Sequence, residues 1–358
     1  MVTTDAVGGV WRYSLTLARE WARSGVLVDL MVLGPAPDLA QQTEAASIPG
    51  VILHQTDLEL DWTAPDPAAL ERIALETADC ASCLGVDSVH LHAPALVGIG
   101  VVWPVPVTAV LHSCLLTWWR AVREGPPPDD FAWRIAATAV GIRRADHLVV
   151  PSRAFGDAVR TAYGDIRPLT VIPNGRHALP VPALPAARRP RVALSAGRFW
   201  DESKDVATLD AAARLIDAAV QAAGSFRGPN GQVASAPNLT ALGSLGEAGL
   251  AEAFSRSRVF VSTARYEPFG LAVLEAAQAG LALVLADIPT FRELWDGAAS
   301  FIPPGDASGF ASALTRALDD PTALADAGVA RARLYSAKAM ASATLSLHRS
   351  STQDQRIA

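Results

Sequence analysis

Apolar residues recur along the chain as short runs rich in β-branched side chains, separated by amphipathic stretches. That alternation is expected of parallel strands joined by helices. Met1 to Thr4 reads as the stub of a first strand, short through either a late start codon choice or a trimmed edge, and the residues from Asp5 to Gly9 as a loop. A helix is predicted over 10–24, because Val10, Leu17, Ala18, Trp21 and Ala22 fall on one face and Gly25 stops it. The next strand is predicted over 26–33. Strand, glycine loop, helix, strand is a right-handed parallel unit. Further strands are predicted at 51–54, 88–91, 107–111, 147–150 and 169–172, with a helix near 67–84.

The stretch 177–191 interrupts this pattern. It carries Pro180, Pro182, Pro185 and Pro190 with little periodicity, and reads as a linker. Strand–loop–helix elements resume at 191–216, 220–223, 239–254, 258–279 and 282–296, and a long last helix is predicted near 323–349. The expected organisation is a first domain over 1–178, a linker over 179–191, a second domain over 192–334, and a C-terminal helix over 335–358 that packs back on the first domain. The fold class is α/β, with two doubly wound Rossmann-like domains facing across a cleft.

The most specific chemistry lies in the second domain. A buried strand is predicted over 258–263, Pro268 and Gly270 break regular structure, and a helix is predicted over 271–279. Glu267 then sits at the carboxyl end of a strand and Glu275 on the second turn of the helix. The N–H groups near Gly270 and Leu271 open that helix, where a phosphate binds readily. After the strand at 191–195, Arg198 and Lys204 supply a planar fork and a point charge, the pair a diphosphate needs. A carboxylate accepts two hydroxyl donors from a sugar diol. Together these groups describe a nucleotide-sugar site.

The totals narrow the alternatives. The chain has 358 residues, 50% hydrophobic, enough for two ordinary domains. A formal net charge of −6 argues against nucleic acid as a partner. Three cysteines, Cys80, Cys83 and Cys114, suggest a reducing compartment, and with no signal peptide apparent a cytoplasmic location is expected. The uncharged stretch 93–111 approaches membrane-spanning length, but Pro94, Pro104 and Pro106 break it into two buried elements.

At this point the chain resembles a retaining glycosyltransferase of the GT-B fold, close to glycosyltransferase family 4. The matching residues are Gly8-Gly9, His112, Pro151-Ser152 and Ile172-Pro173-Asn174-Gly175 in the first half. In the second they are Gly197-Arg198 with Lys204, the Glu-x7-Glu motif from Glu267 to Glu275, Ala286-Asp287-Ile288-Pro289 and Arg292-Glu293. The resemblance implies that Glu275 binds the nucleotide ribose and that Glu267 contacts the donor sugar. It implies that Arg198 and Lys204 hold the diphosphate, with help from backbone groups at Gly9, Phe269, Gly270 and Leu271 and from Asn174. His112 would face the transferred sugar. Such enzymes work without a metal or other cofactor, and no Asp-x-Asp element is present. The implied partners are a nucleotide sugar and a glycan, lipid or small-molecule acceptor. Lys204 departs from the pattern by one extra residue after Arg198.

Other features weigh less. Cys80 and Cys83 form a C-x-x-C pair inside a predicted helix and read as packing residues. His90 and His92 share a strand face and with His112 could mimic a metal triad, but no carboxylate partner is evident. Trp118, Trp119, Arg120 and Arg123 are the acceptor-side candidates. The same set suits a membrane interface, and core packing is the competing reading for the tryptophans. A GT-B epimerase or phosphorylase, or a non-catalytic nucleotide-sugar-binding protein, stays open as an alternative.

Overall fold

The computed structural model describes residues 1–357 other than 99, 165, 182, 183 and 230, with side chains through Ser351. The chain forms two α/β units. One comprises residues 1–120, 124–175 and 337–358, the other residues 121–123 and 176–336.

The first unit is built on seven strands: β1 (Val2–Asp5), β2 (Val28–Leu33), β3 (Val51–Gln55), β4 (Val89–Leu91), β5 (Val107–Val110), β6 (His147–Val150) and β7 (Leu169–Val171). Their order is β3-β2-β1-β4-β5-β6-β7, every pair parallel. The second unit has six: β8 (Val192–Ala196), β9 (Ala219–Ala223), β10 (Thr240–Gly243), β11 (Val259–Ser262), β12 (Ala282–Ala286) and β13 (Ala299–Ile302). Their order is β10-β9-β8-β11-β12-β13, again all parallel. Strands covered by helices on both faces should be apolar throughout, and β12 (Ala-Leu-Val-Leu-Ala) is buried at every position. In each sheet the strand order reverses once, between β1 and β4 and between β8 and β11. A crevice opens at such a reversal, at the carboxyl ends of the strands.

Both predicted doubly wound domains are therefore present. The predicted long last helix is two: Thr322–Ala332 and Ala337–Ile357. Between them the backbone of Tyr335 turns aside to accept from the Arg176 N–H, and its phenol donates to the Leu294 carbonyl at 3.0 Å. These tertiary bonds break the helix at residues 333–336, where neither Gly nor Pro announces it. Part of the predicted linker is firmly held. Arg189 is buried and donates to the carbonyls of Leu184, Phe254 and Ala279 in the second unit. Residues 182 and 183 of that linker lie outside the described residues. Among the described residues no helix is long and apolar enough to cross a membrane.

The Ala337–Ile357 helix belongs to the first unit, where Trp21 Nε1 donates to the Ala341 carbonyl and His348 Nε2 meets His90 Nδ1 at 3.1 Å. Burial pushes His348 down to about 3 from an ordinary 6.5, and His90 well below its usual range. Below pH 6.5 the unfolded chain takes up protons that the folded unit refuses, so stability falls as pH drops toward 3. At pH 5 the His348 shift alone corresponds to about 2 kcal/mol. Denaturant midpoints are expected to fall from pH 7 to pH 5, and to fall less in His348→Gln; equal falls would contradict this linkage.

Candidate functional site

In the second unit, the β8 carboxyl end leads into a loop anchored at alternate residues. Gly197 N donates to the Ala223 carbonyl and Phe199 N to the Ser225 carbonyl, while the Phe199 ring stacks on Phe226. The approach is close: a Cβ on Gly224, whose φ is +143°, would lie 1.8 Å from the Gly197 oxygen. Arg198, between the two anchors, is thrown outward. Its side chain is 66% exposed, 3.6 Å from Asp201 Oδ2, with the guanidinium over the Trp200 ring at 5.5 Å.

The residue that lengthens the Arg198-to-Lys204 spacing is absorbed by a tight turn over Glu202–Lys204, closed by Ser203 N donating to Asp201 Oδ1. Asp205 then takes a left-handed conformation (φ 46°), which Asp tolerates, and caps the Val206–Ala213 helix. Thr263 Oγ1, just past β11, is shared between the Lys204 and Asp205 carbonyls. Arg265 N donates to the Ser203 carbonyl. With the two loops tied together, Lys204 turns back across Gly197 and its Nζ donates to Glu267 Oε2 at 2.6 Å. This ion pair lines a crevice with Gly197, Thr263, Gly270 and Val273. Gly270 caps the Leu271–Gln278 helix at φ +90°, and a Cβ there would press on Phe291, Val273 and Glu267. The first N–H groups of that helix thus sit beside Lys204 and Glu267. Phe269 turns its ring into the core against Tyr335, leaving only its backbone for the crevice.

Glu275 lies one turn further along and is buried. Its Oε1 is 3.0 Å from Nε of Arg176, a contact of charges in which the N–H is not aimed at the oxygen. Arg176 is itself buried and its Nη2 donates to Glu247 at 3.0 Å. Gln278 Nε2, a turn beyond Glu275, donates to the Arg176 carbonyl. Nothing in the sequence pointed to Arg176: it follows Pro-Asn-Gly at the edge of a proline-rich run, far from Glu275 along the chain.

In the first unit, Asp5 Oδ1 accepts from Val7 N and turns the chain after β1, leaving Gly8 and Gly9 exposed at the start of the Gly9–Arg23 helix. His92 follows β4 and His112 follows β5. Their rings meet, His92 Nδ1 to His112 Nε2 at 2.8 Å, and Ser14 Oγ lies 2.9 Å from His92 Nε2. Burial lowers His112 to about 4 and His92 well below its usual value, the latter helped by His112. Both rings are neutral at pH 7. Asn174 is buried after β7. Trp118, Trp119 and Arg120 lie on the Leu115–Val122 helix, where Arg120 is committed to the Thr161 carbonyl and Trp119 Nε1 to that of Gly125. Arg123 belongs with the second unit, where it donates to Glu202 at 2.6 Å. Among the described residues no group of three or more His, Cys, Asp or Glu is arranged to hold a metal ion. His92 hydrogen-bonds His112, whereas His90 hydrogen-bonds His348.

Two Rossmann-like parallel-sheet units, each with its chemistry at the strand-order reversal, define a protein of the GT-B class. The chain belongs to the glycosyltransferases: the family model Glycosyltransferase Family 4 matches residues 7–177 and Glycosyl transferases group 1 matches residues 190–320. It is 32% identical over 213 residues to glycogen synthase of Mycobacterium tuberculosis, an alignment covering 54% of this chain and 51% of that protein. The chain thus spans about half the length of that relative. Among solved structures it is similar to sucrose-phosphate synthase from Thermosynechococcus elongatus (TM-score 0.81, 21% identity, 98% of each chain). It is also similar to Anabaena HepE in complex with UDP-glucose (TM-score 0.71, 17% identity, 96% of this chain and 99% of that one). At these identities the structural likeness speaks for the fold.

Proposed function

We propose that the chain is a retaining glycosyltransferase that moves a sugar from a nucleoside-diphosphate sugar to a hydroxyl acceptor, without a metal ion. The observation that carries this reading is the crevice at the β8/β11 reversal, where Lys204, Glu267 and the Gly270-capped helix start converge with Arg198 exposed nearby. A diphosphate is an anion with several acceptor oxygens. It suits a helix N-terminus, an ammonium and a guanidinium together. As the bond from sugar to phosphate breaks, charge accumulates on the departing diphosphate, and the same cations stabilise it. Glu275 takes the ribose diol, with the buried Arg176 guanidinium 3.0 Å from its Oε1. Glu267 meets the donor sugar, and the family resemblance gives His112 a role toward the transferred sugar. The relative bound to UDP-glucose makes a uridine nucleotide the first donor to try.

Calorimetry with UDP-, GDP- and ADP-sugars, followed by nucleotide release with and without hydroxyl acceptors, tests the reading. Binding of one nucleotide series in chelator, with release that needs an acceptor and product of unchanged anomeric configuration, is expected. Failure of every donor to bind would refute it. Isomerised free nucleotide sugar without an acceptor would point to an epimerase.

A further inference from the structure

Ser14 sits within the Gly9–Arg23 helix and is fully buried. Most helical hydroxyls donate to the carbonyl four residues back, as Thr16 does to Arg12 at 2.7 Å. Ser14 does not. Among the described residues its hydroxyl has one hydrogen-bond partner, His92 Nε2. His92 spends its other nitrogen on His112 Nε2. Among the described residues, no protein group takes the Nδ1 of His112. Tyr13 packs edge-on against both rings, with centroids 5.2 Å and 4.7 Å away, and holds their planes.

A neutral imidazole has one N–H, so the hydrogen bonds of this row must all run the same way. In one direction Ser14 donates to His92 Nε2, His92 Nδ1–H donates to His112 Nε2, and the proton of His112 resides on Nδ1. In the other, His112 Nε2–H donates to His92, His92 Nε2–H donates to Ser14, and the Ser14 proton is left buried without an acceptor. An unmet buried donor biases the equilibrium by about tenfold or more. We propose that Ser14 and His92 are positioning residues that fix His112 as the Nδ1–H tautomer, so that it offers an uncharged N–H to a lone pair on a ligand oxygen. The depressed basicity of both rings keeps the row neutral across the physiological range. His112 is thereby set to recognise an oxygen acceptor, such as a sugar hydroxyl, rather than an ammonium or a bare proton donor. The identity of that ligand rests on the nucleotide-sugar reading; the tautomer does not.

Long-range proton–nitrogen correlation on the full-length, nitrogen-15-labelled protein reports which nitrogen of each ring is protonated. Protons on Nδ1 of both His92 and His112 are expected. A proton on Nε2 of His112 in the unsubstituted protein would overturn the proposal, whatever the enzyme's activity. Ser14→Ala removes one oxygen and the bias with it, so His112 is expected to populate both tautomers. kcat/KM for the donor should fall about tenfold while the pH profile above pH 6 stays flat, the effect of one misdirected uncharged hydrogen bond. An unchanged His112 tautomer in Ser14→Ala would equally reject the role of Ser14. A confirmed tautomer in a protein that binds no nucleotide sugar would discard the donor assignment and leave the relay standing.

Discussion

Arg176→Leu is expected to destabilise the second unit by about 3 kcal/mol, the loss typical when one member of a buried ion pair is removed. Arg176 is 5% exposed and Glu275 7%, so deleting the guanidinium leaves a carboxylate in a low-dielectric setting without that cation. Glu247, the second carboxylate on Arg176, is about half exposed and returns to water at little cost. The penalty therefore falls on Glu275 and its helix. Denaturant unfolding should show a lower midpoint at an unchanged slope, with faster amide exchange in the Leu271–Gln278 helix. Arg176→Leu combined with Glu275→Gln should recover most of the loss, because the coupling lies between those two groups. A destabilisation below about 1 kcal/mol would mean the pair contributes no more than a surface contact. Under the proposed function the same variant also weakens nucleotide binding, since the ribose carboxylate loses the cation beside it.

Arg176 also marks the limit of what the amino-acid order discloses. The alternation of apolar runs with amphipathic stretches located the strands of both sheets, because parallel strands buried on both faces leave a continuous apolar signature. The Glu267 loop was legible since Pro268 and Gly270 are needed to break the chain and start a helix there. Lys204 could be named but not placed, because whether it reached the crevice depended on the Glu202–Lys204 turn taking up one residue. Arg176, Ser14 and the pairing of His92 with His112 had no local signal. Each acts on a residue distant in sequence, and the parallel crossovers alone bring them together. The break after Ala332 was invisible for the same reason: tertiary hydrogen bonds to Arg176 and Leu294 override a helix-compatible sequence.

The crevice variants should separate binding from turnover in opposite directions. Lys204 Nζ and Glu267 Oε2 are 2.6 Å apart with side chains 18% and 22% exposed, so their attraction is only partly screened. A diphosphate that recruits Lys204 must compete with Glu267 for the same ammonium. Lys204→Ala is therefore expected to weaken nucleoside-diphosphate binding. Glu267→Ala should leave that binding equal or tighter while abolishing transfer, because the sugar loses its carboxylate contact. Arg198→Ala, at an exposed position, should leave the melting temperature unchanged. It should lower kcat by about 10²–10³, the scale of losing one preorganised group facing developing charge. Calorimetry with the nucleoside diphosphate alone, beside steady-state transfer, reads the two effects separately. Parallel losses of binding and turnover in Lys204→Ala and Glu267→Ala would show that the pair acts as one structural strut, and near-normal turnover in Glu267→Ala or Arg198→Ala would remove that residue from the chemistry.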